Sequence, residues 1–382
     1  MVREVRLGLL MEVITKKDLI LINELSARSY SGNKLLSNAN QNEKDNLKAI
    51  KEKLKEIAEY HSKKYNESYG GFDVSVSTGN DIAIGGTALK RIWAGLFKGA
   101  DNKQYAAQIS FVMNPTETCL DVGFYFGRAA GHSKNNEQRL ELERNQQNLA
   151  ISLSKILVNN KLFREKYESL FDFGFKAYAD GSERQSDEWI DIIKYDVKSS
   201  HICAKIFPND LGIIEHSTID LYVAQIIFLM GGIYIENSLK EICIEPLTPE
   251  QRAKQAHRKA EIGLKGELFV MEEEKKKLSL LGIQKIGYPK HVALESMHYG
   301  YDILSLDESG NEIYIEVKAT TRLQKDIESK VFYMSTNEFE IFNINKEKYK
   351  LFRVYDIEGN PCKDIVDLDK VQKAPDGYRC TY

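Results

Sequence analysis

Gly300-Tyr301-Asp302-Ile303-Leu304, a turn through Asp307-Glu308-Ser309-Gly310-Asn311, and Ile313-Tyr314-Ile315-Glu316-Val317-Lys318 make up the stretch that decides the fold of the C-terminal part of this chain. It reads as a β-hairpin. Successive strand side chains alternate between faces, so Ile313, Ile315 and Val317 point one way while Tyr314, Glu316 and Lys318 point the other. The partner strand can bring Asp302 beside Glu316, which gives two hard oxygen ligands for a divalent cation. Lys318, two residues along, adds an ammonium able to meet a phosphate or a nucleophilic water. These are the groups that phosphodiester hydrolysis needs.

Further pieces flank the hairpin. Gly266-Glu267 lies in a segment of helical pattern, Ala319-Thr320 follows the second strand, and Met334-Ser335-Thr336-Asn337-Glu338-Phe339-Glu340 precedes Tyr349-Lys350-Leu351-Phe352-Arg353-Val354. Together with the hairpin they resemble the core of the PD-(D/E)XK nuclease superfamily, in which an Asp ends one strand and E-x-K lies on the next. More closely, the stretch from about Gly263 to Leu368 is similar to the NO VEIN C-terminal domain family, a divergent branch found fused to many prokaryotic defence proteins. Order and spacing carry the resemblance. E-x-K alone is common: Glu273-Glu274-Lys275 and Glu274-Lys275-Lys276 match it inside a charged helical run, where they are expected to carry no function.

The resemblance implies an α/β restriction-endonuclease-like domain. It implies Asp302 and Glu316 as metal ligands joined by the Val317 carbonyl, Mg²⁺ as the cofactor with Mn²⁺ as a substitute, and Lys318 positioning the attacking water. Glu267 takes the place of a supporting acid, with a plain surface glutamate as the alternative. Thr320, Thr321, Arg322 and Lys325 follow the catalytic strand and are candidate phosphate contacts, a polar exit loop being the plainer reading. His291 and His298 are near the hairpin, but neither is read as a metal ligand. Ser335 and Glu338 fit a capping box, which is the role expected of them.

A chain of 382 residues is long enough for two or three domains, each with its own core. Its 42% apolar and 29% charged content is that of a soluble globular protein. A net charge of -3 supplies no global field for nucleic acid, so any such contact must come from local basic patches. Cys119, Cys203, Cys243, Cys362 and Cys380 are scattered, odd in number and without a C-x-x-C pair, which indicates neither a disulfide framework nor a zinc site. The reducing cytoplasm is the expected location. The apolar run at Leu7 to Met11 is too short for a secretory signal, and Leu221 to Ile235, interrupted by Gln225 and Gly231-Gly232, falls short of the roughly 20 residues of a spanning helix. That second run reads as buried core, and no membrane partner is expected. Gly85-Gly86-Thr87-Ala88-Leu89-Lys90 is only a faint echo of a phosphate-binding loop.

Residues 1–245 read as an α+β recognition module, with a subdivision expected near 130–170. Helices are expected over 15–30 and 42–64, the second burying Leu47, Ile50, Leu54, Ile57 and Ala58. Strands are expected at Phe72 to Ser77, Tyr105 to Met113 and Thr118 to Phe126, with a short helix from Ala88 to Phe97. Thr248-Pro249-Glu250-Gln251 starts a linker helix over 246–262, with Thr248 as N-cap, and residues 263–382 form the nuclease-like domain. There a helix from Leu264 to Leu281 offers Leu264, Leu268, Met271 and Leu278 for packing.

A nuclease core needs targeting, and the first half is the candidate reader. Arg91 to Phe97 and the strands ending at Gly127-Arg128 faintly resemble the DNA-reading domain of methylcytosine-specific type IV restriction enzymes. That resemblance implies an aromatic pocket drawn from Trp93, Tyr105, Phe124, Tyr125 and Phe126, the core of a twisted sheet being the plainer reading of each, and alternation forbids Tyr125 from sharing a face with Phe124 and Phe126. The expectation is a Mg²⁺-dependent endonuclease acting on modified or foreign DNA in prokaryotic antiviral defence. DNA is the expected partner, alongside other defence-system proteins. Cutting both strands would call for two sites, hence the hypothesis of a homodimer. The alternatives are a catalytically silent module that binds nucleic acid or protein, and an RNA-directed nuclease.

Overall fold

The computed structural model describes residues 14–28, 39–77, 92–98, 103–127, 135–197, 199–233 and 246–374. The chain divides into two units, Met1–Lys254 and Gln255–Tyr382. Both mix helices with β-sheet.

In the first unit β1 (Ile14–Thr15) leads into α1 (Lys16–Ala27), followed by α2 (Gln41–Lys64), α3 (Asn66–Tyr69), β2 (Asp73–Val76), β3 (Ile92–Lys98), β4 (Ala107–Met113) and β5 (Leu120–Phe126). Then come α4 (Asn136–Asn159), α5 (Lys161–Phe173), β6 (Lys176–Ala179), β7 (Ser182–Arg184), α6 (Ser186–Ile193), β8 (His201–Ile206), β9 (Ile213–Ile214), α7 (His216–Ile226) and α8 (Phe228–Gly232). Asn40 and Glu43 close a capping box on α2, which buries the expected Leu47, Ile50, Leu54, Ile57 and Ala58. Seven strands form one antiparallel sheet in the order β2-β3-β4-β5-β8-β6-β7. Because β2 to β5 and β6 to β8 share that sheet, the expected subdivision near 130–170 is absent. The α4 and α5 helices occupy that stretch and pack on the common core.

The helix expected from Ala88 to Phe97 is also corrected: residues 88–91 lie outside the described residues, and Ile92–Lys98 is a strand paired with β4. Its apolar residues Ile92, Ala94 and Leu96 satisfy a period of two, and cross-strand pairing overrides a short local helical reading. The interior Gly95 suits this strand, since a Cβ there would meet the Ile109 carbonyl oxygen at 2.8 Å. Of the run Leu221 to Ile235, the part to Ile233 is mostly buried core, as expected, and residues 234–235 lie outside the described residues. Among the described residues no helix is long and apolar enough to cross a membrane.

The α9 helix runs unbroken from Pro249 to Leu280. Its capping box is the expected one: the Thr248 amide donates to Gln251 Oε1 at 3.0 Å, and the Gln251 amide to Thr248 Oγ1 at 3.2 Å. A separate linker helix ending at 262 is therefore not formed. Nothing in Ile262-Gly263-Leu264 breaks the helix strongly enough, a mid-helix glycine costing only about 1 kcal/mol.

The second unit carries a five-stranded sheet in the order β10 (Lys290–His291), β11 (Ile303–Leu306), β12 (Glu312–Ala319), β13 (Tyr349–Tyr355), β14 (Cys362–Val366). Only β12 and β13 run parallel. On one face Ile303, Ile313, Ile315 and Val317 pack with Val270 and Met271 of α9. On the other, Tyr314, Tyr349 and Leu351 pack with Ile341 and Phe342 of α10 (Thr336–Ile344). Of the four residues expected to pack from α9, Met271 and Leu278 are buried and the other two are not. Leu264 and Leu268 are exposed, and the buried positions are Ile262, Val270, Met271, Glu274 and Leu278.

The face that packs has a physical origin at Gly266, where a Cβ would collide with the Cβ of Ala319. The bare glycine lets the helix backbone approach β12 closely. Ile262, Gly266, Val270, Glu274 and Leu278, spaced by four, then form the contact stripe. Glu274 is therefore not part of a solvated run: it is only 3% exposed, accepts a 2.6 Å hydrogen bond from the buried Ser305 hydroxyl, and pairs with Lys277.

Candidate active site

Asp302 enters the site from a fixed turn. Gly300 sits at φ +71°, and a Cβ there would meet Ile341 Cγ1 at 2.7 Å, so the backbone passes beneath α10 only as glycine. Beyond it the Asp302 amide donates to the Ile315 carbonyl at 2.9 Å, while the Asp302 carbonyl accepts from Val292 and Ala293 at 2.9 and 3.1 Å. Its carboxylate Oδ2 accepts the Val317 amide at 2.8 Å. The Val317 carbonyl leaves the strand on that same edge, since the N–H and C=O of one strand residue point together.

Glu316 and Lys318 lie on the β12 face opposite Ile315 and Val317, as alternation requires. Glu316 is 3% exposed and pairs with Lys318 Nζ at 2.6 Å. Lys318 also reaches Glu338 Oε2 at 2.8 Å, at the start of α10. Glu338 closes the capping box with Ser335 as well, so one carboxylate both caps the helix and holds the lysine. From α9, Glu267 Oε2 lies 2.6 Å from His291 Nε2.

Acids outnumber cations here, and the proton affinities follow. Burial, assisted by Glu267 and Glu338, lifts Asp302 to about 6 despite its bond from Val317 and the nearness of Lys318. Burial and then the Asp302 charge push Glu316 up to about 9, more than Lys318 offsets. Burial alone would lower Lys318, but Glu316 and Glu338 outweigh it and raise its pKa. The neighbouring Tyr349 hydroxyl donates to the Gly300 carbonyl at 3.1 Å; burial and the surrounding carboxylates raise it as well.

Two carboxylates that resist ionisation in a common site are what a divalent cation would relieve. Among the described residues, no three His, Cys, Asp or Glu side chains converge to hold a metal. The groups that could hold such a cation are the Asp302 and Glu316 carboxylates and the Val317 carbonyl, a set that would leave most of its positions to water.

Other expected site residues are not brought here. Thr320 and Arg322 are buried, at 6% and 4% exposure. Thr320 Oγ1 accepts the Arg322 amide at 3.2 Å, and the guanidinium pairs with Asp326 at 3.3 Å. They brace the exit of β12 and are not free to meet a phosphate backbone, because their polar atoms are spent within the fold. In the first unit Phe124 and Phe126 belong to the helix-covered core, edge to face at 5.1 Å, and Tyr105 is 1% exposed. Trp93 instead lies on the opposite sheet face with Val112, Tyr125, Cys203 and Tyr178. The aromatic pocket of Trp93, Tyr105, Phe124 and Phe126 is not assembled, since strand alternation puts its members on different faces. On the Trp93 face the rings of Tyr125, His201 and Tyr178 stack at 4.8 and 4.9 Å, and Lys103 Nζ lies 5.3 Å from the Trp93 ring centroid.

Sequence reading missed Glu338, Tyr349 and His291 as neighbours of these side chains. A helix that starts after a capping box and follows an E-x-K strand could have flagged Glu338. The other two carry no local signal.

The model of one protein family, described as Protein NO VEIN, C-terminal, matches residues 266–366, a domain associated with PD-(D/E)XK nuclease-like proteins. This is about a quarter of the chain. No curated protein and no solved structure matches it, and the resemblance of the first half to modified-DNA readers finds no support.

Proposed function

We propose that the second unit is a restriction-endonuclease-like nuclease that hydrolyses phosphodiester bonds in DNA with Mg²⁺. The observation that carries this reading is the convergence of Asp302, Glu316 and Lys318 at one edge of β12. Asp302, Glu316 and the Val317 carbonyl would hold the cation; when bound, it would lower the pKa of a coordinated water and neutralise charge on the phosphate. Lys318, poised between Glu316 and Glu338, can shift from those carboxylates to orient the attacking water or stabilise the extra negative charge of the transition state. Action on foreign or modified DNA in prokaryotic defence, with the first unit as reader and a homodimer as the double-strand-cutting form, completes the proposal.

The test is plasmid nicking in Mg²⁺ and in Mn²⁺ by the wild type, Asp302→Ala and Lys318→Ala, with single-stranded RNA offered in parallel. Each substitution is expected to lower the rate by about 100-fold or more. Equal nicking by all three proteins rejects the site. Preferential cleavage of RNA moves the substrate to RNA. A silent binding module is the second reading, favoured by the double sequestration of Lys318, and it predicts retention of DNA in gel shifts without nicking.

A further inference from the structure

We propose that His291 is a positioning residue of this site, holding the Glu267 carboxylate in place to help bind the divalent cation; the inference rests on the nuclease reading above. The imidazole is tied to the metal edge through the backbone. His291 pairs with Ile303, the residue after Asp302, and the next two amides, Val292 and Ala293, both donate to the Asp302 carbonyl. The backbone that carries the ring is thus fixed against the backbone of Asp302.

The carboxylate arrives from the other side. Gly266, fitted against Ala319, sets the depth of α9, and Glu267 is the next residue, close enough for its charge to act on Asp302. Left alone, a glutamate with 19% of its side chain exposed would sample several rotamers. The 2.6 Å contact from Oε2 to His291 Nε2 selects one, and the imidazole itself is 9% exposed. Among the described residues Oε1 takes no hydrogen bond, and a Cβ on Gly263 would lie 3.9 Å from it, an ordinary contact distance. One oxygen is therefore anchored and the other left to accept from a water bound to the cation. Outer groups that fix a ligand in this way commonly change metal affinity 10- to 100-fold when removed.

The experiment is a calorimetric titration of the full chain with Mn²⁺ alone, in the wild type, Asp302→Ala, His291→Ala, His291→Gln, Glu267→Gln and the His291→Ala/Glu267→Gln double variant, with a melting curve for each. The wild type is expected to bind and Asp302→Ala to lose binding. His291→Ala and Glu267→Gln should each weaken Mn²⁺ about 10-fold, the double variant no further, and His291→Gln, which keeps an N–H donor, should recover part of the loss. If His291→Ala lowers the melting temperature but leaves an Asp302-dependent Mn²⁺ affinity intact, the pair is a structural staple and the inference is overturned while the nuclease reading stands. A wild type that binds no Mn²⁺ overturns both.

Discussion

Glu316 shows most directly what the site costs the fold. Its folded pKa of about 9 lies above the ordinary carboxylate value of 4.5, so the native chain keeps a proton that the unfolded chain has released across that window. By linkage its contribution to stability is fully present below pH 4.5 and is lost as pH rises through 9. Asp302, lifted to about 6, acts in the same direction over a narrower range. Glu316→Gln removes the charge that burial and Asp302 oppose, and Lys318 keeps Glu338 as a partner. The expected outcome is a more stable, inactive protein: melting at pH 8 rises by a few degrees, corresponding to about 1 kcal/mol, and the gain shrinks at pH 5. Scanning calorimetry at the two pH values decides it, and a lower melting temperature at pH 8 would show that the carboxylate is stabilised rather than strained. What was legible here is the shared face: a strand's period of two, fixed by the backbone, puts Glu316 and Lys318 on one side of β12, while singling them out with Asp302 took the order of the flanking pieces as well.

At the scale of elements, helix α9 and strand β12 meet through the smallest side chains available. Gly266→Ala places a methyl against Ala319, so the helix must rise or slide, and overpacking of this kind costs about 1–3 kcal/mol. The same shift carries Glu267 away from His291, and both melting temperature and Mn²⁺ affinity are expected to fall in this variant. Unchanged values in both would mean that the contact is slack. Ser305→Ala tests the other buried contact of the helix: the buried Glu274 loses a hydrogen bond, at a cost of about 1–3 kcal/mol, and chemical denaturation should show it with no loss of nicking rate. Neither contact was legible in sequence. Apolar periodicity found Met271 and Leu278 but also pointed to the exposed Leu264 and Leu268, and the stripe that packs contains a glycine and a glutamate, which no hydrophobicity pattern selects.

For the whole molecule, the candidate chemistry lies entirely within Gln255–Tyr382, while Pro249 to Leu280 is one helix. A fragment covering 246–382 is expected to fold and to nick plasmid without selectivity. One starting at 263 loses the Thr248 cap and the buried Ile262, and should melt several degrees lower. Circular dichroism melts and nicking by the two fragments check this, and a folded but inactive 246–382 would place a needed group in the first unit. The sequence by itself determined the hairpin, its alternation, the caps of α9 and α10 and the shared face of Glu316 and Lys318, all governed by interactions within a few residues. Tertiary structure alone decided that Phe124 and Phe126 turn inward away from Trp93, that Arg322 is spent on Asp326, and that Glu338 and His291 join the site. Those outcomes depend on how closely distant backbones can approach and which buried charges must find partners, and neither quantity is written in any local stretch of the chain.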